Sequence, residues 1–473
     1  RIHGTLPPRE PEAVIVTPGT AAVAAGRLAS IVAVPQRVAC ATVLAVTAAF
    51  AMLPAQGQLQ IVITETLDKT VSVGVVPFAW NGRGRLSEDP RDIVATDLRL
   101  SGRFSSLPVE QMLSLPAPGD EVFFRDWELL RVEYLVLGEM SVRDGRIRLT
   151  FELYNVYRQS VVVRQTIEGY PGELRDMAHH VSDVVYEELT GIKGAFSTRI
   201  MYITAVGDLT NREYRLNIAD ADGHRVETIL RSDEPILSAT WAPDGERIAY
   251  VSFEKDRRPA IYLADLTTGK KQQLTNFAGL NGAPAFSPDG KHLAMVLSRD
   301  GDPEIYVMNL VNRHLRQITR HYGIDTEPSW TPDGSSIIFT SNRGGKPQIY
   351  QINLSNLQIE RLTFEGDYNA KASVLPDGNS LVMVHRREGV FHIALLDLVR
   401  GRLSVLTETS LDESPSIAPN GSMLIYATQV DGQGILAAVS IDAKVKFNLP
   451  SSEGDVREPA WSPRKRKTFV PVE

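Results

Sequence analysis

The sequence predicts a multidomain protein, an N-terminal α/β domain followed by a six-bladed β-propeller. Two observations carry the propeller. A proline-centred phrase recurs as WAPDG at Pro243, FSPDG at Pro288, WTPDG at Pro332, VLPDG at Pro376, IAPNG at Pro419 and WSPRK at Pro463, with successive spacings of 45, 44, 44, 43 and 44 residues. Short apolar runs bounded by turn residues follow at the same interval, and a period of about 40–45 residues with several short strands per unit is that of a propeller blade. The third observation is that this period disappears upstream of about residue 190, where helical and alternating patterns take over.

From the N-terminus, residues 1–36 carry charges and prolines with no core pattern and are expected to be an overlong start or a disordered extension. Residues 37–55 read as a signal peptide. Arg37 precedes an apolar run over 38–53 that holds the sole cysteine, Cys40, and small-residue sites predict cleavage near Ala51 or Ala55. That run is shorter than the ~20 residues of a bilayer span, so no direct membrane span is expected after cleavage. Within the α/β domain at 56–190, an alternating segment at Leu59, Gln60, Ile61, Val62 and Ile63 could pair with its own domain or with a partner's sheet edge. A β-branched run at 70–78, a helix over 89–104, a strand at 134–137 and a hairpin at 143–145 come next. Alternating Ile147, Leu149, Phe151 and Leu153 predict a half-buried strand, and 173–189 places Leu174, Met177, Ala178, Val181, Val185 and Leu189 on one helix face.

After a linker at 191–198 the propeller occupies 199–473. Proline presets φ for the turn, Asp tolerates the next position and Gly closes it, so each phrase is a tight reversal that no helix interior would accept. Strands are expected at 200–203, 248–251, 293–296, 337–340, 381–384 and 424–427, with second strands at 261–266, 305–310 and 349–354. Ile200 opens a unit lacking the turn before it, and Trp461 opens one with almost nothing after it. The strand around Ala460 and Trp461 should therefore complete the blade that begins at Ile200 and remove two free edges.

The remaining signals narrow the function. A net charge of −7 with 43% hydrophobic residues is ordinary for a globular protein, and no basic stripe interleaved with aromatics points to nucleic acid. Arg464 to Lys467 reads as a solvated tail. A propeller-containing peptidase-related protein is the alternative, but no G-x-S-x-G elbow or H-E-x-x-H motif occurs, and the ten residues after Pro463 hold no hydrolase domain. His179 and His180 are adjacent on a helix, diverge by about 100°, and read as solvated residues; His385 and His392 flank a blade turn and should be exposed. Asp325, Glu327, Asp412, Glu413 and Glu458 stand at corresponding repeat positions, as a solvated acidic rim or as a mouth that binds a cation or a partner. The Asp-Gly pairs supply too few oxygen ligands for calcium loops and read as turns, so no cofactor or metal is expected.

VSVGVVPFAW at 71–80, DLRLSGRF at 97–104, GIKGAFSTRIMYI at 191–203, NGAPAFSPDG at 281–290 and LDESPSIAPNG at 411–421 resemble the TolB family, the periplasmic component of the Tol–Pal system of Gram-negative bacteria. The resemblance runs from residue 59 to 463, and GAFSTRI ahead of a six-unit propeller is its most specific part. It implies a non-enzymatic periplasmic adaptor linking TolA to the lipoprotein Pal, in contact with other envelope proteins, supporting outer-membrane integrity and constriction at cell division. Pal would dock on rim loops before the x-Pro-Asp-Gly turns, through Leu280, Asn281, Gly282, Ala283, Asp325, Thr326 and Glu327. Leu280 departs from the polar residue usual there. TolA would take Leu59, Gln60, Ile61, Val62 and Ile63 at the mature N-terminus.

Overall fold

The computed structural model describes residues 61–63 (backbone only), 70–208, 211–409, 411–450, 453–464 and 469–472. The expected signal peptide, Leu59, Gln60 and most of the basic run after Arg464 lie outside them. Among the described residues no helix is long and apolar enough to cross a membrane.

The α/β domain is a mixed sheet in the order Phe104–Ser106, Val71–Val75, Tyr134–Arg143, Arg146–Asn155, Ser160–Gly169, with the first three parallel and the rest antiparallel. Its two faces are covered by different elements. Val136 and Met140 face the helices Pro90–Leu100 and Leu174–Thr190, whereas Leu135 and Leu137 pack on Trp127 of the short helix Phe124–Leu129. The first helix starts where Asp89 accepts from the Arg91 amide at 2.9 Å and Pro90 takes the first position, a standard N-cap. It stops at Leu100 rather than running to residue 104, because Gly102 is left-handed at φ 70° and Phe104 already pairs with Val71. No larger residue fits at Gly102, since a Cβ there would lie 2.1 Å from Val445 of the propeller.

Six sheets form the propeller. Their first strands, Ile236–Trp241, Asn281–Phe286, Asp325–Trp330, Asn369–Val374, Glu413–Ile417 and Asp455–Trp461, contact one another in sequence and close around the axis. Asp455–Trp461 pairs antiparallel with Arg199–Val206, so the end of the chain supplies the innermost strand of the first blade, as the split repeat predicts. The x-Pro-Asp-Gly turns are built as expected. Gly245, Gly290, Gly334, Gly378 and Gly421 have φ between 67° and 74°, and Asp289 accepts from the Lys291 amide at 3.0 Å.

Three devices stitch neighbouring strands and blades. Thr275, Thr319, Thr363 and Thr407, all buried, accept at 2.9 Å from the amides of Ile261, Ile305, Ile349 and Ile393 in mid-blade strands. Trp241 and Trp330 donate their indole N–H to Ala460 and Ala285 of the preceding blade at 3.0 Å. The third device is a bulge in every innermost strand, which places Ser238, Ala283, Glu327, Lys371, Ser414 and Glu458 in the left-handed region at φ 45–56°.

Two short described segments add to the domains at their edges. Ile61–Ile63 belongs to neither the α/β sheet nor a free tail; it adds a fifth strand to the last blade, antiparallel to Val445–Asn448 with Ile61 opposite Phe447. At the other end Phe469 packs against the α/β core with its ring centroid 5.7 Å from that of His180, and the Val472 amide donates to Thr166 O at 2.8 Å.

Candidate protein-binding mouth and domain junction

Each innermost strand begins at one mouth of the channel and ends in its x-Pro-Asp-Gly turn at the other, since Asn281 pairs with Leu297 and Phe286 with Leu293. Residues 281–283 and 325–327 are therefore strand openings on the face opposite those turns, not loops beside them. The fold brings both groups to one rim on adjacent blades, where they differ in accessibility. Leu280 is exposed, and Gly282, Ala283, Thr326 and Glu327 are half-buried. Asn281 and Asp325 are wholly buried and can only position the others. Asn281 donates to Phe277 O at 2.8 Å and Gly279 O at 3.1 Å, and Asp325 pairs with Arg343 at 2.5 Å.

The acidic rim resolves into two classes. Asp325 and Asp412 are buried structural groups, Asp412 taking the hydroxyls of Thr407 and Thr409. Glu327 and Glu458 occupy the left-handed ring and reach across to the next blade: Glu327 accepts from the Lys371 amide at 2.8 Å and Glu458 from the Ser238 amide, while Lys371 Nζ donates to Ser414 Oγ at 2.7 Å. A non-glycine left-handed residue costs about 1–2 kcal/mol, and these inter-blade bonds offset it. Ala283 has no side chain able to do so and packs instead against the apolar core between its blade and the next. Only Glu413 of these acids is fully exposed.

Four successive loops on this rim carry exposed apolar side chains: Leu280, then Tyr322 with Ile324, then Phe364, then Leu411. Tyr322 is 82% exposed and Phe364 74%.

The histidines expected to be solvated are not. His179 is 2% exposed at the junction between the domains, its Nδ1 2.7 Å from Asp97 Oδ2 and its Nε2 3.9 Å from Asp222 of a first-blade turn. His180 is half-buried beside Phe469, and burial lowers its pKa. His385 is also buried, bonded to Asn369 at 2.8 Å, and His392 opposite it is half-buried. A helix pattern read alone could not reveal this, because the burial of His179 comes from a propeller turn distant in sequence.

Around His179 the two domains exchange charge. Arg175 reaches Glu88 at 2.8 Å, Asp220 at 3.2 Å and Asp222, and Arg225 clamps Asp176 with two bonds of 3.0 Å while holding Asp220 at 2.7 Å. Sequence reasoning missed all of these residues. Asp97, His179 and Asp222 present ligand atoms within 4.8 Å of one another, but Arg175 already engages Asp222 and His179 engages Asp97, so the cluster supplies its own cations and acts as an ion-pair lock. Burial opposes charge on His179, yet Asp97, Asp222 and Asp220 outweigh it and push the pKa up to about 9. A raised histidine pKa contributes stability that is complete below about 6.5 and lost as pH climbs through the folded value. His179→Ala, which strands Asp97, should cost about 3–5 kcal/mol and lower the urea midpoint. The wild-type midpoint should fall between about pH 6.5 and 9 with a component that the variant lacks; parallel profiles would show that the lock carries no charge.

A family model described as the TolB amino-terminal domain matches residues 59–162, and one described as the TolB beta propeller domain matches residues 186–465. The chain is 61% identical over 413 residues to the Tol-Pal system protein TolB of Alcanivorax borkumensis, covering 87% of this chain and 94% of that one. It is 54% identical over 418 residues to the protein of that name from Pseudomonas syringae, covering 88% and 96%. Among solved structures, TolB from Acinetobacter baumannii superposes with a TM-score of 0.79 at 42% identity over 86% of this chain and 100% of the other. With both domain types matched in order along most of its length, the chain belongs to the TolB family of Tol–Pal system proteins.

Proposed function

We propose that the chain is a non-enzymatic periplasmic adaptor. It holds the Pal lipoprotein on the channel mouth and TolA through its N-terminal segment, and so supports outer-membrane integrity and envelope constriction at division. The observation that carries this reading is the mouth itself, where Leu280, Tyr322, Ile324, Phe364 and Leu411 stand exposed on four consecutive loops around a ring of small and polar side chains. Within it Leu280, Gly282, Ala283, Thr326 and Glu327 make the contact, and Asn281 and Asp325 hold their strands in place.

The TolA reading rests on the position of Ile61–Ile63. A strand on the outer edge of a complete four-stranded blade can be handed to a partner's sheet without opening the ring. Purified chain mixed with Pal and with TolA should form a complex with each, and saturating Pal should leave TolA binding measurable. Failure to bind either protein by calorimetry would overturn the reading, as would peptide hydrolysis by the purified chain.

A further inference from the structure

Glu304 and Asp325 are the first residues of strands in adjacent blades, and the Asp325 carboxylate lies near enough to raise the Glu304 carboxyl. Both are buried, Glu304 to 5% and Asp325 to 0% exposure. Every acceptor of the pair is accounted for except one. Glu304 takes the Thr319 hydroxyl at 2.6 Å on one oxygen and the His321 amide on the other, and Asp325 Oδ2 takes Arg343. Asp325 Oδ1 has no donor among the described residues, although an unsatisfied buried acceptor is worth about 1–3 kcal/mol of instability.

The next blade shows what is missing. There Gln348 replaces Glu304, Asn369 replaces Asp325 and Thr363 replaces Thr319, and the Asn369 amide donates to Gln348 Oε1 at 2.8 Å alongside the Thr363 hydroxyl at 2.7 Å. An amide hydrogen joins the two side chains in that blade. Two carboxylates in the same frame carry no hydrogen of their own to join them.

We propose that Glu304 and Asp325 share a single proton across the channel mouth, and that releasing it loosens the rim segment 319–327. The remaining charges nearby do not supply the missing donor. Arg343 is spent on Asp325 Oδ2 and stacks over Phe339 and Tyr350; Arg320 binds Gln317; Asp300 takes Tyr306 and Arg299. Asp302 and Tyr322 line the outer recess with Asp300 and His321, and the His321 ring takes the Gly323 amide. Burial, the largest influence, raises the Glu304 carboxyl above its ordinary range; Thr319 and His321 draw it back, and Asp325 raises it again. A raised carboxyl favours the folded rim at low pH and withdraws that support as pH rises through the folded value.

The test is hydrogen exchange at the amides of 319–327 in the full chain from pH 5 to 8, with each rate taken relative to the same amide in Glu304→Gln and in Asp325→Asn. Asp325→Asn puts a permanent amide donor where Asn369 has one, and Glu304→Gln removes the second carboxyl, so each checks the other should one fold poorly. In the wild type, opening should rise by up to about tenfold per pH unit across the titration, and both variants should remain flat. The wild type minus Glu304→Gln infrared difference at neutral pH should show one carboxylic acid band. A flat wild-type ratio, or a difference spectrum with no acid band, overturns the proposal.

Discussion

Ala283→Arg should weaken Pal binding by about thirtyfold, because disrupting a central interface contact can cost about 2 kcal/mol or more. The substitution is a clean one. Ala283 is left-handed at φ 45°, but the equivalent positions two and one blades on hold Lys371 at φ 51° and Glu327 at φ 53°, so this backbone already carries long side chains in the same protein. An arginine there would take the backbone conformation that Lys371 has on its own blade. Calorimetry against purified Pal, with circular dichroism and urea midpoint matched to wild type, reads the effect. A folded variant with unchanged affinity would move the Pal surface away from the mouth.

Deleting residues 56–66 should abolish TolA binding while Pal affinity stays within twofold of wild type. The deletion removes Ile61–Ile63 from the outside of the last blade and leaves its other four strands paired, whereas the rim lies at the innermost strands. The same purified protein, tested against both partners, separates the two surfaces. Loss of Pal with TolA retained would reverse the assignment, and aggregation would mean that the bared edge at Val445–Asn448 needs its cover.

The propeller was legible because its turns need glycine and proline at fixed places. Gly245, Gly290, Gly334, Gly378 and Gly421 all adopt the left-handed conformation that makes glycine the default there. The second ring of left-handed residues was not legible, since Ser238, Ala283, Glu327, Lys371, Ser414 and Glu458 include no glycine or asparagine; their conformation is imposed by the bulge and by bonds to the next blade. Tertiary contacts likewise decided what helix periodicity could not. His179 looked like one more polar position, yet Asp222 from the first blade and Asp97 from the other helix enclose it. The division of the rim residues into accessible and buried members was not legible, because it depends on hydrogen bonds such as those of Asn281 to Phe277 and Gly279. In the α/β domain the edge strand Ser160–Gly169 went unread, because Val161, Val162 and Val163 run together instead of alternating.

The pairing of Asp455–Trp461 with Arg199–Val206 also governs the order in which the chain can fold. A chain emerging N-terminus first makes Arg199–Val206 early and Asp455–Trp461 last, so the contact that closes the ring spans almost the whole propeller in sequence. Contacts of such long range form slowly. Until the final strand arrives, the first blade has an open edge and the last has no neighbour on that side, the state in which strand edges recruit other chains. A product cut short ahead of Asp455 never leaves that state. The closing strand is thus a test of completeness: a full-length chain seals itself, and a truncated one stays marked for aggregation or proteolysis.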